Sequence, residues 1–192
     1  MRYSAQGDTT MADHTAALID RLVQFVVGFI VPGGVVLFAC ATGSDTVRGW
    51  FEGAQNGPTF VGFAFVLLGA LALGLVVMAI RFCVFEVIPW TGRPIVPAPT
   101  PINEAARAQH VETYADLRRS HYDFYLAGAN LSVAIPFGIV IWKLVASDPI
   151  TWAHLLGVGG AGVVASLALA VGAIEAITRY DAKRLRLVGP AA

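Results

Sequence analysis

The side chains in this chain that could do chemistry are few, and their spacing suits little of it. Four histidines and two cysteines are spread over 192 residues. His110 and His121 lie about three turns apart on one prospective helix, ~16 Å along its axis, which is too far to share a metal ion. His121 has Asp123 close in sequence, but residues two apart point in different directions on a helix and do not make an acid–base pair. No serine or cysteine nucleophile accompanies them. The most that catalysis could draw on is a trio of His121, Asp123 and Tyr114 acting on a lipid headgroup. Cys40 and Cys83 fall at opposite ends of apolar segments, beyond the ~7 Å that a disulfide allows between Cα atoms. Without a Cys/His cluster, the sequence implies no metal and no cofactor.

What these residues do form is a stripe. At about 100° per residue, Arg107, His110, Val111, Tyr114, Leu117, Arg118, His121 and Tyr125 share one helical sector about 120° wide. Glu112, Asp116, Arg119 and Asp123 occupy the far side, with Arg119 placed to pair with Asp116 and Asp123. The aromatic and basic face, Arg107, His110, Tyr114, Arg118, His121 and Tyr125, is thus a candidate interaction surface. No nucleic-acid partner is implied.

The elements that must position this stripe are set by where charge is absent. Every Lys, Arg, Asp and Glu lies outside four stretches, Leu22–Ala41, Phe60–Ile80, Phe124–Trp142 and Trp152–Ile174. Each runs roughly 19 to 23 residues, enough at about 1.5 Å per residue to cross a hydrocarbon core of ~30 Å. With 56% hydrophobic residues, 14% charged residues and a mean hydropathy of +0.67, the chain reads as one all-α polytopic membrane domain over residues 1–192. Its parts are a lead-in (1–21), a first span (22–41), an outer loop (42–59), a second span (60–80), a cytoplasmic linker and helix (81–123), a third span (124–142), an outer loop (143–151), a fourth span (152–174) and a basic tail (175–192).

Eleven of the 13 basic residues fall in the lead-in, the central segment and the tail, leaving only Arg48 and Lys143 opposite. The positive-inside rule then places both termini and the central loop in the cytoplasm, with the third span extended into it. The expected location is a bacterial cytoplasmic membrane. A cleaved signal fits the first span poorly. Its flank carries Asp13 and Asp20, and its apolar run exceeds the 7–15 residues, roughly, of a signal core. Met1 to Thr10 is polar and aperiodic, which leaves Met11 open as the true start.

Along the chain, Ala12 to Arg21 reads as an amphipathic lead-in at the interface. Pro32, Gly33 and Gly34 predict a kink or brief unwinding within the first span. The outer loop is rich in turn formers around Trp50 and Phe51, which are expected to dip into the headgroups, as are Trp90, Trp142 and Trp152. Phe82 to Ile88 continues the second span along the interface with Glu86 facing water. Pro89, Pro94, Pro97, Pro99 and Pro101 then make an extended, semi-rigid linker. Thr100 and Pro101 cap a helix expected to run unbroken from Ile102 into the third span. In the tail, Arg179, Lys183, Arg184 and Arg186 form a juxtamembrane cluster expected to meet anionic lipid.

Inside the bilayer the polar residues are Gln24, Asn130, Ser132, His154 and Ser166. The lack of charged groups argues against an ion-coupled transporter. Small residues are abundant. Gly128 and Ser132 line an edge of the third span, Gly157, Ala161 and Ala165 one edge of the fourth, and Gly162, Ser166 and Ala170 another. Such edges let helix backbones approach closely. Two edges on the fourth span imply neighbours on two sides, either its own companions or another subunit. The leading expectation is a non-enzymatic protein acting by association, as a homo-oligomer or accessory subunit among membrane lipids, with the cytoplasmic helix as docking surface. An oligomeric pore lined by Asn130 and Ser132, and the headgroup enzyme, are the alternatives.

Overall fold

The computed structural model describes residues 15, 18–19, 21–53, 59–88, 96, 104–145, 151 and 155–188. The lead-in apart from Thr15, Leu18, Ile19 and Arg21, the proline linker apart from Val96, the proposed cap at Thr100 and Pro101, and Trp90, Trp152 and His154 lie outside the described residues. All regular structure among the described residues is helical. Four helices are long and apolar enough to cross a membrane: α1 (Arg21–Ala41), α3 (Phe60–Val87), α5 (Val111–Val145) and α6 (Gly157–Val188). Two short helices, α2 (Asp45–Glu52) and α4 (Glu104–Gln109), accompany them. Multi-pass membrane insertion follows from these lengths and compositions.

α1 packs on both α3 and α5, α3 also touches α5, and α6 packs within the bilayer on α5. Glycines set the closest contact. A Cβ at Gly33 would overlap the Ala70 carbonyl oxygen, and one at Gly74 would overlap that of Phe29. Only glycine permits α1 and α3 to come this close.

In α1 the expected unwinding takes a milder form. Val26–Ile30 is a π-helical turn, closed by Val31 N–H donating to the Val26 carbonyl, and the α-helix resumes at Val31 with Pro32 in its first turn. An α-helical bond to the Gly28 carbonyl would come from residue 32, but proline has no N–H. Asn130 of α5 fills the gap, its Nδ2 donating to Gly28 O at 2.7 Å. The proline of one span thus accounts for the buried asparagine of another.

Three local expectations change. The outer loop contains α2, whose N-cap Ser44 accepts from the Val47 N–H at 3.4 Å. That helix sets its aromatics against the spans: Trp50 stacks on Phe65 at 5.4 Å and Phe51 meets Phe38 edge-on at 6.1 Å. Arg48 donates to the Ala41 and Thr42 carbonyls at 3.3 and 3.1 Å, placing a cation at the C-terminus of α1. The helix expected to run unbroken from Ile102 is interrupted at His110, whose φ of −121° and ψ of 35° separate α4 from α5. No breaker residue stands there. The break accompanies packing of both α4 and α5 on the end of α6, tertiary contact overriding local propensity.

Candidate functional site

Glu86 is the third change, and it opens the most elaborate polar site in the described structure. In an α-helix, residues five apart point about 140° away from each other. The second span ends instead in a π-helical turn, Cys83–Val87, whose i to i+5 pairing brings Glu86 back over Arg81. Arg81, 6% exposed, donates through Nη1 to Glu86 Oε1 and to the Tyr125 hydroxyl, both at 2.7 Å. Tyr125 in turn donates to Glu86 Oε1 at 3.1 Å. A buried arginine costs several kcal/mol to desolvate unless paired, and this triangle supplies the pairing.

From Tyr125 the cluster spreads across the same end of the molecule. Four of the five tyrosines belong to it. Tyr122 lies 6.0 Å from Tyr125 and 5.6 Å from Tyr180 between ring centroids, and Tyr180 donates to the Tyr114 hydroxyl at 2.9 Å. Each ring carries a guanidinium at 5.0 to 5.8 Å: Arg81 over Tyr125, Arg107 over Tyr114, Arg118 over Tyr122 and Arg184 over Tyr180. Cation–π attraction of about 0.5–2 kcal/mol per pair lets four arginines sit together where bare like charges would repel. Burial, reinforced by the bond with Tyr114, raises the Tyr180 hydroxyl above the usual phenol range.

The predicted stripe is therefore divided. Tyr125 is buried and Tyr114 half-buried against α6, whereas Arg107, His110 and Arg118 stay exposed. His121 takes a bond from Lys183 Nζ at 2.8 Å. That geometry requires a neutral ring nitrogen, and burial together with Lys183 and Arg179 lowers His121 below its ordinary value. Asp123 accepts from Gln24 Nε2 of α1 at 2.8 Å. His121, Asp123 and Tyr114 thus bond to Lys183, Gln24 and Tyr180 respectively. His110 sits at the α4–α5 turn and does not meet His121, and no cluster of three potential metal-binding side chains occurs among the described residues.

In the tail, Arg179 pairs with Glu175, and Arg186 is exposed. Arg184 departs from its expected role on lipid. It is 6% exposed, turned to Asp181 at 3.3 Å and to the Tyr180 ring.

Among the small residues, Gly128 packs on Leu169 and Ala173, and Gly162 on Ile135 and Ile139. Ser132 and Ser166 are buried, their hydroxyls bonded to the Ala129 and Gly162 carbonyls, and Ala170 is half-buried. The other edge of α6, Gly157, Ala161 and Ala165, faces outward, with open space around Gly157. Pro32 and Gly33 are buried and Gly34 half-buried. No family model matches this chain, and comparison with curated proteins and with solved structures found no match. Its geometry alone must speak for its role. The tyrosine–arginine cluster joins α3, α5 and α6 at one end. The outward edge of α6 stays exposed among the described residues.

Sequence reasoning missed Arg81 and Glu86 because their pairing needs a π-helical turn, which no residue there announces. It missed the chain of tyrosine contacts for want of any long-range signal. Asn130 was visible as a rare polar group, and the proline four residues after Gly28 was the clue to its partner.

Proposed function

We infer that this protein is a non-enzymatic membrane subunit that acts by association, as a homo-oligomer or within a larger membrane complex. Its basic, tyrosine-rich end lies in the cytoplasm, in keeping with the positive-inside rule, and a bacterial inner membrane fits that orientation. One observation carries the reading. Two small-residue edges on α6 could be explained by a span enclosed among its own companions, but among the described residues the bilayer part of α6 packs chiefly on α5. Its second edge, Gly157, Ala161 and Ala165, is left for another subunit. On the cytoplasmic side the exposed Arg107, His110 and Arg118 extend the same association to a partner, while Tyr114 and Tyr125 hold their helix in place. A pore reading has less to rest on, since Asn130 and Ser132 are buried and donate to the Gly28 and Ala129 carbonyls within the molecule.

The test uses Ala161→Cys in a background lacking Cys40 and Cys83, oxidised in native membranes, together with the double reversal Arg107→Glu and Arg118→Glu. The reading predicts a crosslink at position 161, to a second copy or to a cysteine-bearing partner subunit, and loss of co-purifying subunits in the reversal variant with insertion unchanged. No crosslink, and the same co-purifying proteins in both chains, would count against it.

A further inference from the structure

At the basic end, a groove of about 430 Å³ opens between α1 and α5, a volume within the ~300–1,000 Å³ usual for ligand sites. Its lining changes character along its length. One part is apolar, with Val27 and Gly28 from α1 facing Leu126 and Ala127 from α5; the other carries Gln24, Arg119, Ser120 and Asp123. The change falls at Phe124, the residue where the charge-free stretch of the third span begins. The apolar part therefore lies at hydrocarbon depth and the polar part at the level of the headgroups. Whatever fills the groove must cross that boundary, so it is an amphiphile with its polar end outward.

The polar part also constrains the headgroup. Arg119, which also pairs with Asp116 at 3.8 Å, presents a cation, and Asp123, already bonded to Gln24, presents an anion, on the same wall. A headgroup that is only negative would meet Asp123 unfavourably, and one that is only positive would meet Arg119 so. A headgroup with a phosphate and a primary amine complements both, the phosphate on the Arg119 guanidinium and the ammonium donating to the Asp123 carboxylate. The Gln24 amide, donating to Asp123 Oδ2 at 2.8 Å, orients that carboxylate and ties it to α1. The Gly28 position helps in another way, since its missing side chain and the π-helical turn around it leave room on the floor of the groove.

We propose that the α1–α5 groove is a binding site for a zwitterionic aminophospholipid of the ethanolamine type, with one acyl chain between Val27 and Leu126 and its headgroup between Arg119 and Asp123. The site is independent of the association proposed above, for it lies between α1 and α5 and away from the outward edge of α6. The test is retention of lipid by the full chain. Protein reconstituted in bilayers with equal ethanolamine and glycerol phospholipids of the same acyl chains is extracted gently, and bound lipid is identified by native mass spectrometry. The expected result is a preference for the ethanolamine lipid of roughly fivefold, the size one interfacial charge supplies. Asp123→Asn, which can still accept from Gln24, is expected to abolish that preference. Arg119→Gln, at an exposed position, is expected to reduce retention of the ethanolamine lipid while the melting temperature stays unchanged. Equal retention of both lipids, a preference for the glycerol lipid, or an ethanolamine preference that survives in both variants would overturn the proposal.

Discussion

The first and fourth spans are both built from small and branched apolar residues, yet the fold uses them in opposite ways. In α1 the smallest residue, Gly33, is pressed against the Ala70 backbone, the π-helical turn before it is bridged by Asn130, and neighbours stand on both sides. In α6 the edge of Gly157, Ala161 and Ala165 stays exposed among the described residues. Small residues by themselves thus mark where backbones are able to approach closely; they do not say which helix approaches. In α1 the approach is made within the fold. In α6 it is left for association.

The contrast can be broken most sharply by adding bulk. Gly33→Leu should destabilise the protein by about 3 kcal/mol or more, because the new side chain has only the Ala70 carbonyl and the Gly74 backbone to push against. Ala161→Leu, on the open edge, should change stability by less than about 0.5 kcal/mol. Reversible unfolding in mixed micelles would measure both, and equal losses would erase the distinction between the two spans.

A smaller effect tests how α1 is held. Asn130→Leu removes the donor to the Gly28 carbonyl that Pro32 leaves without its helical partner, and should cost about 1 kcal/mol. The companion change Pro32→Ala, which restores a backbone N–H in α1, should recover part of that loss. A double-mutant cycle with no coupling between the two would show that the bond to Gly28 is incidental.

The smallest effect belongs to the far end of α6. His121 favours its neutral form in the folded protein, where it accepts from Lys183. Its contribution is therefore complete above the ordinary imidazole value of 6.5 and is lost as pH falls below it. Hydrogen exchange at α4 and the start of α5 should accelerate modestly between neutral pH and about pH 5. His121→Gln should flatten that dependence, and an unchanged profile in this variant would move the titration to another group.

The spans were legible in the sequence because their signal is simple: charge is excluded from a thickness of lipid, and the gaps in charge at Leu22–Ala41 or Phe60–Ile80 record it directly. Which spans pack together was not legible, since lipid solvates every apolar face equally and hydrophobicity cannot choose neighbours. The tyrosine–arginine cluster was half legible. Arg107, Tyr114, Arg118 and Tyr125 share a helical face, but their partners Arg81, Glu86, Tyr180 and Arg184 come from distant segments, and Glu86 reaches Arg81 only through a π-helical turn. The outward edge of α6 was visible as a pattern, but the sequence did not show that α6 packs chiefly on α5.

The most direct test of the association reading is the native mass of the complex, extracted from its own membrane with lipid retained, for the parent chain and for the double variant Ala161→Phe and Ala165→Phe. The account predicts a mass above a single copy for the parent chain, from further copies or from another subunit, and a single copy for the variant with an unchanged melting temperature. A parent chain that is a single copy at every protein density, or a variant whose assembly matches the parent's, would contradict it.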